Sequence, residues 1–119
     1  LIADKLAPEG PDFLRQFDDV EVNVETGLDD DSLVAKMREH DGIVVRSAVK
    51  IRRSHLEQCN ATPGSRLRAI ARAGVGVDNI DLDAATEFGI AVMNSASAST
   101  ITTAEHAFAL MIALARNIA

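Results

Sequence analysis

The sequence is poor in the features that form disulfides, bind nucleic acids or cross membranes. Its 119 residues include one cysteine, Cys59, and neither tryptophan nor tyrosine. A single cysteine cannot form an internal disulfide, which fits a reducing cytoplasm. The formal net charge of −6 disfavours nucleic acid as a partner. The longest apolar run, 107–115, is far shorter than the ~20 residues that span a bilayer, so a membrane is not an expected partner either.

What the sequence does contain is a regular alternation of apolar, strand-like runs with helix-like segments. The residues at 20, 22 and 24 alternate with polar ones, as in a half-buried edge strand, whereas 42–45 is continuously apolar, as in a buried parallel strand. Such alternation is typical of a parallel α/β sheet with helical crossovers. The five predicted strands are 1–3, 20–24, 42–45, 67–71 and 90–93.

Local signals predict where the helices begin. Acidic residues and capping boxes are favoured at helix starts. Glycine is favoured just after helix ends, so we predict that Gly89 terminates the fourth helix. The first helix is expected to bury Phe13, Leu14 and Phe17. The starting signals are Pro11, the acidic run 29–31, the capping boxes Ser54/Glu57 and Thr102/Glu105, and Asp81.

The last predicted helix, 104–116, is apolar almost all the way round. A helix of this kind needs to be buried on more than one side. Because a single five-stranded sheet covers only one side, we expect the other side to meet a second domain or another subunit. The abrupt ends of the chain also suggest a fragment of a longer protein.

The most distinctive stretch is the loop 72–81, which carries two glycines one residue apart after an apolar strand. It approaches the dinucleotide fingerprint G-x-G-x-x-G, but Asn79 stands where the third glycine belongs. The acidic residue that would hold a ribose is also missing after the next strand, at Asn94. Two interpretations remain: a plain glycine turn, or a loop that offers bare backbone N–H groups to an anion.

Three groups of candidate ligand-binding residues follow neighbouring predicted strands, at the edge where ligands bind in doubly wound sheets. They are Arg46 with Ser47, the glycines at 74 and 76, and the polar segment 94–99. An arginine, a hydroxyl and free N–H groups together suit a carboxylate or a phosphate. The sequence therefore predicts an anion site at the carboxyl edge of the sheet.

The residue types that most often carry catalysis lie elsewhere. His40 and His55 fall on predicted helices and are interpreted as surface residues, and Cys59 as a small packing residue. His106 is expected to pack in a core or an interface. With no zinc spacing, Walker motif or nucleophile elbow, we expect no metal and no catalytic residue in this segment.

Four blocks of the chain, 41–47, 71–86, 89–94 and 103–118, resemble the D-2-hydroxyacid dehydrogenase family. The V-R-S and G-V-D-N sequences within them resemble the branch that acts on 3-phosphoglycerate. The resemblance implies a flavodoxin-like parallel sheet, as the first segment of a substrate-binding domain at 1–96. It implies that 97–119 is the hinge and the first helix of a Rossmann cofactor domain whose remainder is absent.

The resemblance also implies an activity, NAD-dependent oxidation of 3-phosphoglycerate to 3-phosphohydroxypyruvate in cytoplasmic serine biosynthesis by a homo-oligomer, at least a dimer. The family's acid/base histidine and most of its NAD contacts come later in the chain, so the segment alone is expected to be inactive. The alternatives are a glyoxylate/hydroxypyruvate reductase of the same family, or a non-catalytic dimerisation or binding module. The implied substrate-binding residues are Arg46, Ser47, Gly74, Val75, Gly76 and Ser99, and the implied cofactor contacts are Val75 and Thr103.

Overall fold

Three short parallel strands form the sheet of the computed structural model, which describes residues 1–118. The spatial order of the strands is β1–β2–β3. The strands are β1 (Gly42–Val45), β2 (Ala69–Arg72) and β3 (Ala91–Asn94), and the helices are α1 (Glu9–Leu14), α2 (Asp30–Glu39), α3 (Arg53–Ala61), α4 (Leu82–Glu87) and α5 (Thr100–Arg116). The parallel α/β architecture is therefore confirmed.

The two other predicted strands take part only as single bridges. Ile2 bridges to Val24 on one side and to Val44 of β1 on the other, both in the parallel sense. The Ile2 N–H donates to Asn23 O at 2.7 Å, and Ala3 N–H donates to Val44 O at 3.0 Å. After Ala3, the Asp4 carboxylate accepts the Arg46 N–H of the loop after β1 at 3.1 Å. The predicted count of five regular strands is not confirmed.

One face of the sheet carries the core. In β1, Ile43 and Val45 are fully buried while Val44 between them is only half-buried, which is the period-two alternation of a strand covered on one face. Helices α2, α3 and α4 cover the buried face and pack on one another in chain order. The largest buried side chains on this side are Met37, Ile43, Ile51, Leu56 and Ile70.

The acidic N-caps are as predicted. Asp29 accepts a hydrogen bond from the Ser32 N–H at 2.8 Å and begins α2. Asp81 accepts one from the Ala84 N–H at 2.8 Å and begins α4. Gly89 follows α4 with a φ of +68°, a left-handed conformation that glycine adopts at little cost. These local signals worked because each involves residues only a few positions apart.

Both predicted capping boxes are wrong. Helix α3 begins at Arg53, so Ser54 lies inside its first turn, and the Arg52 N–H donates instead to Nδ1 of His55 at 3.3 Å. Helix α5 begins at Thr100, so Thr102 is already helical, and its N-cap Ser99 makes no side-chain capping bond. In both cases the helix starts earlier than the pattern indicates.

The expectation for the first helix is also wrong. Helix α1 ends at Leu14, which is half-buried, and its one buried residue is Pro11. Phe13 and Phe17 are 58% and 45% exposed, and their rings contact each other edge to face with centroids 5.4 Å apart. The two aromatic rings cover each other instead of entering the core.

The histidines and the cysteine divide between confirmed and wrong predictions. Cys59 is fully buried in the core, so its interpretation as a packing residue is confirmed. His55 is 2% exposed and not a surface residue, with Nε2 3.5 Å from an Asp30 carboxylate oxygen. His40 is half-buried, with Nδ1 2.7 Å from Lys36 O. His106 is exposed on α5, so an interface role for it stays a prediction.

Helix α5 has no buried residue within the described part of the chain. Phe108 is 64% exposed and Leu114 is 83% exposed, although both are large and apolar. None of the helices within residues 1–118 has the length and apolar content needed to cross a membrane. The apolar surface of α5 therefore lacks a partner within residues 1–118.

Candidate functional site

The register of the sheet brings three loops to one edge. Val45 of β1 pairs with Arg72 of β2, and Arg72 pairs with Asn94 of β3. Because the strands are parallel, the segments that follow these residues leave the sheet side by side. The sequence predicted this convergence from chain order alone, and the pairing confirms it.

Side-chain amides join the loops to one another. The Asn79 amide donates to Arg46 O at 2.6 Å, which ties the end of the glycine loop to the loop after β1. The Asn94 amide donates to Val75 O at 2.6 Å. The Ser95 N–H donates to Gly74 O at 3.2 Å. The glycine loop is therefore fixed from both neighbouring strands.

The glycine loop presents unpaired N–H groups to the outside. Val75 and Gly76 are exposed, and within residues 1–118 neither backbone N–H donates to a protein acceptor. Gly74 and Gly76 are not in the left-handed region. The lack of a side chain at Gly74 leaves room for the Arg72 guanidinium, since a Cβ on Gly74 would lie 2.7 Å from Nη1 of Arg72.

Two arginines lie at the same edge of the sheet as these N–H groups, and Nη1 of Arg46 donates to Lys5 O at 3.2 Å. Arg46 is exposed after β1, and Arg72 lies at the end of β2 against Gly74. Nε of Arg72 is buried without a hydrogen-bond partner. In the part of the chain that the structure describes, neither arginine takes part in an ion pair. Two unpaired cations beside free N–H groups suit an anionic ligand.

Asp4 supports the loop that carries Arg46. One of its carboxylate oxygens accepts the N–H groups of Arg46 and Ala48 at 3.1 Å and of Val49 at 3.3 Å. The other accepts the Lys5 N–H at 2.9 Å. Burial by itself would raise the pKa of Asp4, but these four hydrogen bonds together hold the pKa below its ordinary value of 3.8.

This arrangement predicts how stability depends on pH. A carboxyl whose pKa is lower in the folded state contributes stability above its unfolded pKa and loses it as the pH falls through the folded value. We expect the free energy of unfolding to decrease from near pH 3.8 downward. Asp4→Asn should weaken this part of the pH dependence and cost about 1–3 kcal/mol at neutral pH.

Urea unfolding of the 119-residue chain and its Asp4→Asn variant, from neutral to acidic pH, checks this expectation. Asp18→Asn is the matched control, because the Asp18 side chain is exposed and forms no hydrogen bond within residues 1–118. Equal stability of the Asp4→Asn variant and the wild type across the whole range would contradict the assignment.

Two predicted site residues stand apart from the rest. Ser99 is the N-cap of α5, and the Thr103 N–H donates to Ser99 O at 2.9 Å. Both are exposed, and no hydrogen bond in the described region connects either one to the glycine loop or to Arg46. Ser47, by contrast, stays with Arg46 in the loop after β1.

Sequence reasoning missed three residues that organise this edge: Asp4, Arg72 and Asn79. Asp4 was available as a signal, since it follows the first predicted strand just as Arg46 follows the third. Arg72 and Asn79 border the glycine loop, but a sequence does not state whether such side chains face a loop or the solvent. The contacts of Asp4 and Asn79 depend on segments 42 and 33 positions away, which only the fold brings together.

The site is open on one side. A cavity of about 720 Å³ exists, but it lies on the uncovered face of the sheet, with Leu1, Val44 and Met93 among its lining residues. It includes neither Arg46 nor the glycine loop. Small-molecule sites are concave, so a second wall is needed opposite the glycine loop.

No group of three or more potential metal ligands lies together within residues 1–118.

These features define a domain of the parallel α/β class with an anion-suited glycine loop at the carboxyl edge of its sheet. Residues 1–117 match the family model "D-isomer specific 2-hydroxyacid dehydrogenase, catalytic domain". The chain belongs to this family, and the resemblance inferred from the four sequence blocks is confirmed.

Among its relatives is the D-3-phosphoglycerate dehydrogenase of Synechocystis sp., which is 45% identical over 118 residues, corresponding to 99% of this chain and 20% of the relative. The chain thus spans about a fifth of the length of the curated relatives it matches.

Solved structures share the fold. The PH0520 protein from Pyrococcus horikoshii OT3 superposes with a TM-score of 0.77 at 29% identity, over 98% of this chain and 34% of that protein. The NAD⁺-bound 3-phosphoglycerate dehydrogenase of Entamoeba histolytica superposes with a TM-score of 0.68 at 24% identity, over 94% of this chain and 38% of that one. At that identity the second likeness concerns the fold alone.

Proposed function

We propose that this chain is the N-terminal segment of an NAD-dependent D-3-phosphoglycerate dehydrogenase, which oxidises 3-phosphoglycerate to 3-phosphohydroxypyruvate in serine biosynthesis. The observation that carries the proposal is that one edge of the sheet holds both the free N–H groups of the glycine loop and two arginines, Arg46 and Arg72, without acidic partners. The relatives named D-3-phosphoglycerate dehydrogenase support it.

The charges of the substrate match the two parts of the site. 3-Phosphoglycerate carries a carboxylate at one end and a phosphate at the other. In the proposal, the N–H groups of Val75 and Gly76 receive the carboxylate, while Arg46, with the hydroxyl of Ser47 and the guanidinium of Arg72, faces the phosphate. Backbone N–H groups and guanidinium forks are the donors that such oxygens prefer. This orientation places C2 of the substrate beside Val75.

The cofactor meets this segment at few points. Bound NAD would supply the hydride acceptor for oxidation at C2 of the substrate. The side chain of Val75 is 46% exposed at the glycine loop and offers an apolar contact for a flat ring. Thr103 lies in the first turn of α5, which our domain assignment gives to the cofactor domain. Its hydroxyl offers a polar contact for the cofactor. Most of the cofactor contacts, and the acid/base histidine, are assigned to a cofactor domain outside this sequence.

The proposed domain division follows from the isolation of α5. Residues 1–96 form the first segment of the substrate domain, in which 1–3 and 20–24 complete a five-stranded, flavodoxin-like sheet. Residues 97–119 form the hinge and the first helix of the Rossmann cofactor domain. Ser99 lies in that hinge, and we propose that closure of the two domains brings it to the substrate. The cytoplasmic location stays a prediction that rests on the single cysteine.

The direct test is a steady-state assay of the full-length enzyme with NAD and 3-phosphoglycerate, alongside NADH with glyoxylate and with hydroxypyruvate. A preference for 3-phosphoglycerate supports the proposal, whereas a preference for the unphosphorylated acids favours the reductase of the same family. The 119-residue chain serves as a further sample. Turnover by the isolated chain would contradict the assignment of catalytic groups to the missing domain.

Arg46→Ala in the full-length enzyme should raise KM for 3-phosphoglycerate. A lost charge-assisted hydrogen bond is worth about 1.5–3 kcal/mol, so the increase should be about tenfold or more, while KM for NAD changes little. Arg15→Ala is the control, because Arg15 lies on the surface and bonds to Asp12 at 3.0 Å. If Arg46→Ala leaves KM for 3-phosphoglycerate unchanged, Arg46 is an ordinary surface charge.

A further inference from the structure

The loop that carries Arg46 is held from two opposite sides. From the first predicted strand, the Asp4 carboxylate accepts the N–H groups of Arg46, Ala48 and Val49. From the glycine loop, the Asn79 amide donates to the carbonyl oxygens of Arg46 at 2.6 Å and Val49 at 2.7 Å. Within 46–49, three N–H groups therefore bond to one side chain and two carbonyls bond to another.

The chemistry of each holding residue is matched to its task. Three N–H groups converge on a single Asp4 oxygen, an arrangement that needs an acceptor without hydrogens. Two carbonyls converge on the Asn79 nitrogen, and this atom needs both of its hydrogens as donors. Asparagine in place of Asp4 keeps the shape but removes the charge and turns one of the two acceptor oxygens into a donor, whereas aspartate in place of Asn79 keeps the shape and turns the donating nitrogen into an acceptor.

Asn79 also belongs to the glycine loop by its backbone. The Ile51 N–H donates to Asn79 O at 2.8 Å, and the Asp81 N–H donates to Ile51 O at 2.9 Å, forming the isolated bridge between Ile51 and Ile80. The segment 46–51 thus contacts the glycine loop through both side chain and backbone. A displacement of Asn79 would alter the separation of Arg46 from the free N–H groups of Val75 and Gly76.

We propose that Asp4 and Asn79 are positioning residues for the acidic substrate: together they fix the Arg46–Val49 loop against the glycine loop so that Arg46 and the Val75 and Gly76 N–H groups reach the two ends of one ligand. The proposal rests on the proposed function for its substrate. Neither residue touches the reacting atoms, so both act on substrate binding through the placement of Arg46.

Asn79→Asp in the full-length enzyme provides a test with a readout beyond loss of stability. At about pH 8 the new carboxylate faces two carbonyl oxygens and repels both, so KM for 3-phosphoglycerate should rise about tenfold or more. KM for NAD should stay within about twofold, because the cofactor is assigned mainly to the other domain. Lowering the pH to about 6 should partly restore KM, because the two facing carbonyl oxygens and partial burial raise the pKa of this carboxyl, and its protonated form donates one hydrogen bond to a carbonyl.

Asn60→Asp is the matched control, since it is the same substitution at an exposed position on α3. Its KM should follow that of the wild type at both pH values. Asp4→Asn is the second variant, and it should raise KM for 3-phosphoglycerate at all pH values without recovery on acidification. An Asn79→Asp variant with the KM and pH profile of the wild type would overturn the positioning role.

Hydrogen exchange measured by mass spectrometry provides a readout that does not depend on turnover. In Asn79→Asp and Asp4→Asn, exchange should accelerate at least severalfold in 46–51 but not in helix α2 (Asp30–Glu39). Unchanged exchange in 46–51 would overturn the proposal even if the full-length enzyme failed to oxidise 3-phosphoglycerate. Absent turnover by the wild type would instead overturn the proposed function, so the two failures are distinguishable.

Discussion

Gly76→Val in the full-length enzyme should abolish measurable binding of 3-phosphoglycerate while the domain stays folded. The new side chain would occupy the space through which a carboxylate reaches the N–H groups of Val75 and Gly76. Within the protein, a Cβ at Gly76 would lie 2.9 Å from a carboxylate oxygen of Asp78. That oxygen is the end of a movable side chain on an exposed residue, so it can turn away without disturbing the sheet.

Isothermal calorimetry with 3-phosphoglycerate measures the binding, and circular dichroism checks that the fold is retained. Gly10→Val is the matched control, because Gly10 is exposed in α1 and a Cβ there meets its nearest atom at 3.9 Å. We expect Gly10→Val to bind 3-phosphoglycerate normally. Normal affinity in Gly76→Val would remove the glycine loop from the substrate site.

Phe108→Asp or Ile112→Asp in the full-length enzyme should shift the dimer that we propose towards monomers. Both side chains are large, apolar and about half or more exposed on α5, at 64% and 48%. Burial of such a side chain contributes roughly 1.5–3 kcal/mol, and a carboxylate in its place adds a desolvation cost. We therefore expect the dissociation constant to rise at least about a hundredfold.

Sedimentation velocity over a range of micromolar concentrations measures this shift. Phe13→Asp is the control, because Phe13 is similarly exposed, at 58%, but lies on α1 outside the apolar surface of α5. It should leave the oligomeric state unchanged. A wild-type enzyme that is monomeric at these concentrations, or a dimer unaffected by both substitutions, would contradict an interface on α5.

The elements that the sequence predicts well are those with short-range causes. The continuous apolar run of β1 gives its limits without error, because four adjacent apolar residues between polar neighbours leave little freedom in where the strand begins and ends. Asp29 and Asp81 are the N-caps of α2 and α4, because the bond in each case spans only three residues. The convergence of the strand ends follows from the parallel alternation alone.

The failures share a different cause. The capping box at Ser54 did not form because α3 begins earlier, where the buried imidazole of His55 accepts the Arg52 N–H. Phe13 and Phe17 stay on the surface although the pattern indicates a buried side. Each outcome depends on which surfaces are available once the sheet has formed, and local periodicity contains no information on that choice.

By itself, the sequence determined the α/β class, the family and the anion-suited loops after β1 and β2, because spacing and residue type are sufficient for these. Only the tertiary structure decided how that edge is built. It placed Arg72 against Gly74 and left its Nε without a partner. It also brought Asp4 and Asn79 from distant segments to opposite sides of the Arg46 loop. Such bonds join residues about 30 to 40 positions apart, and only the folded chain defines that proximity.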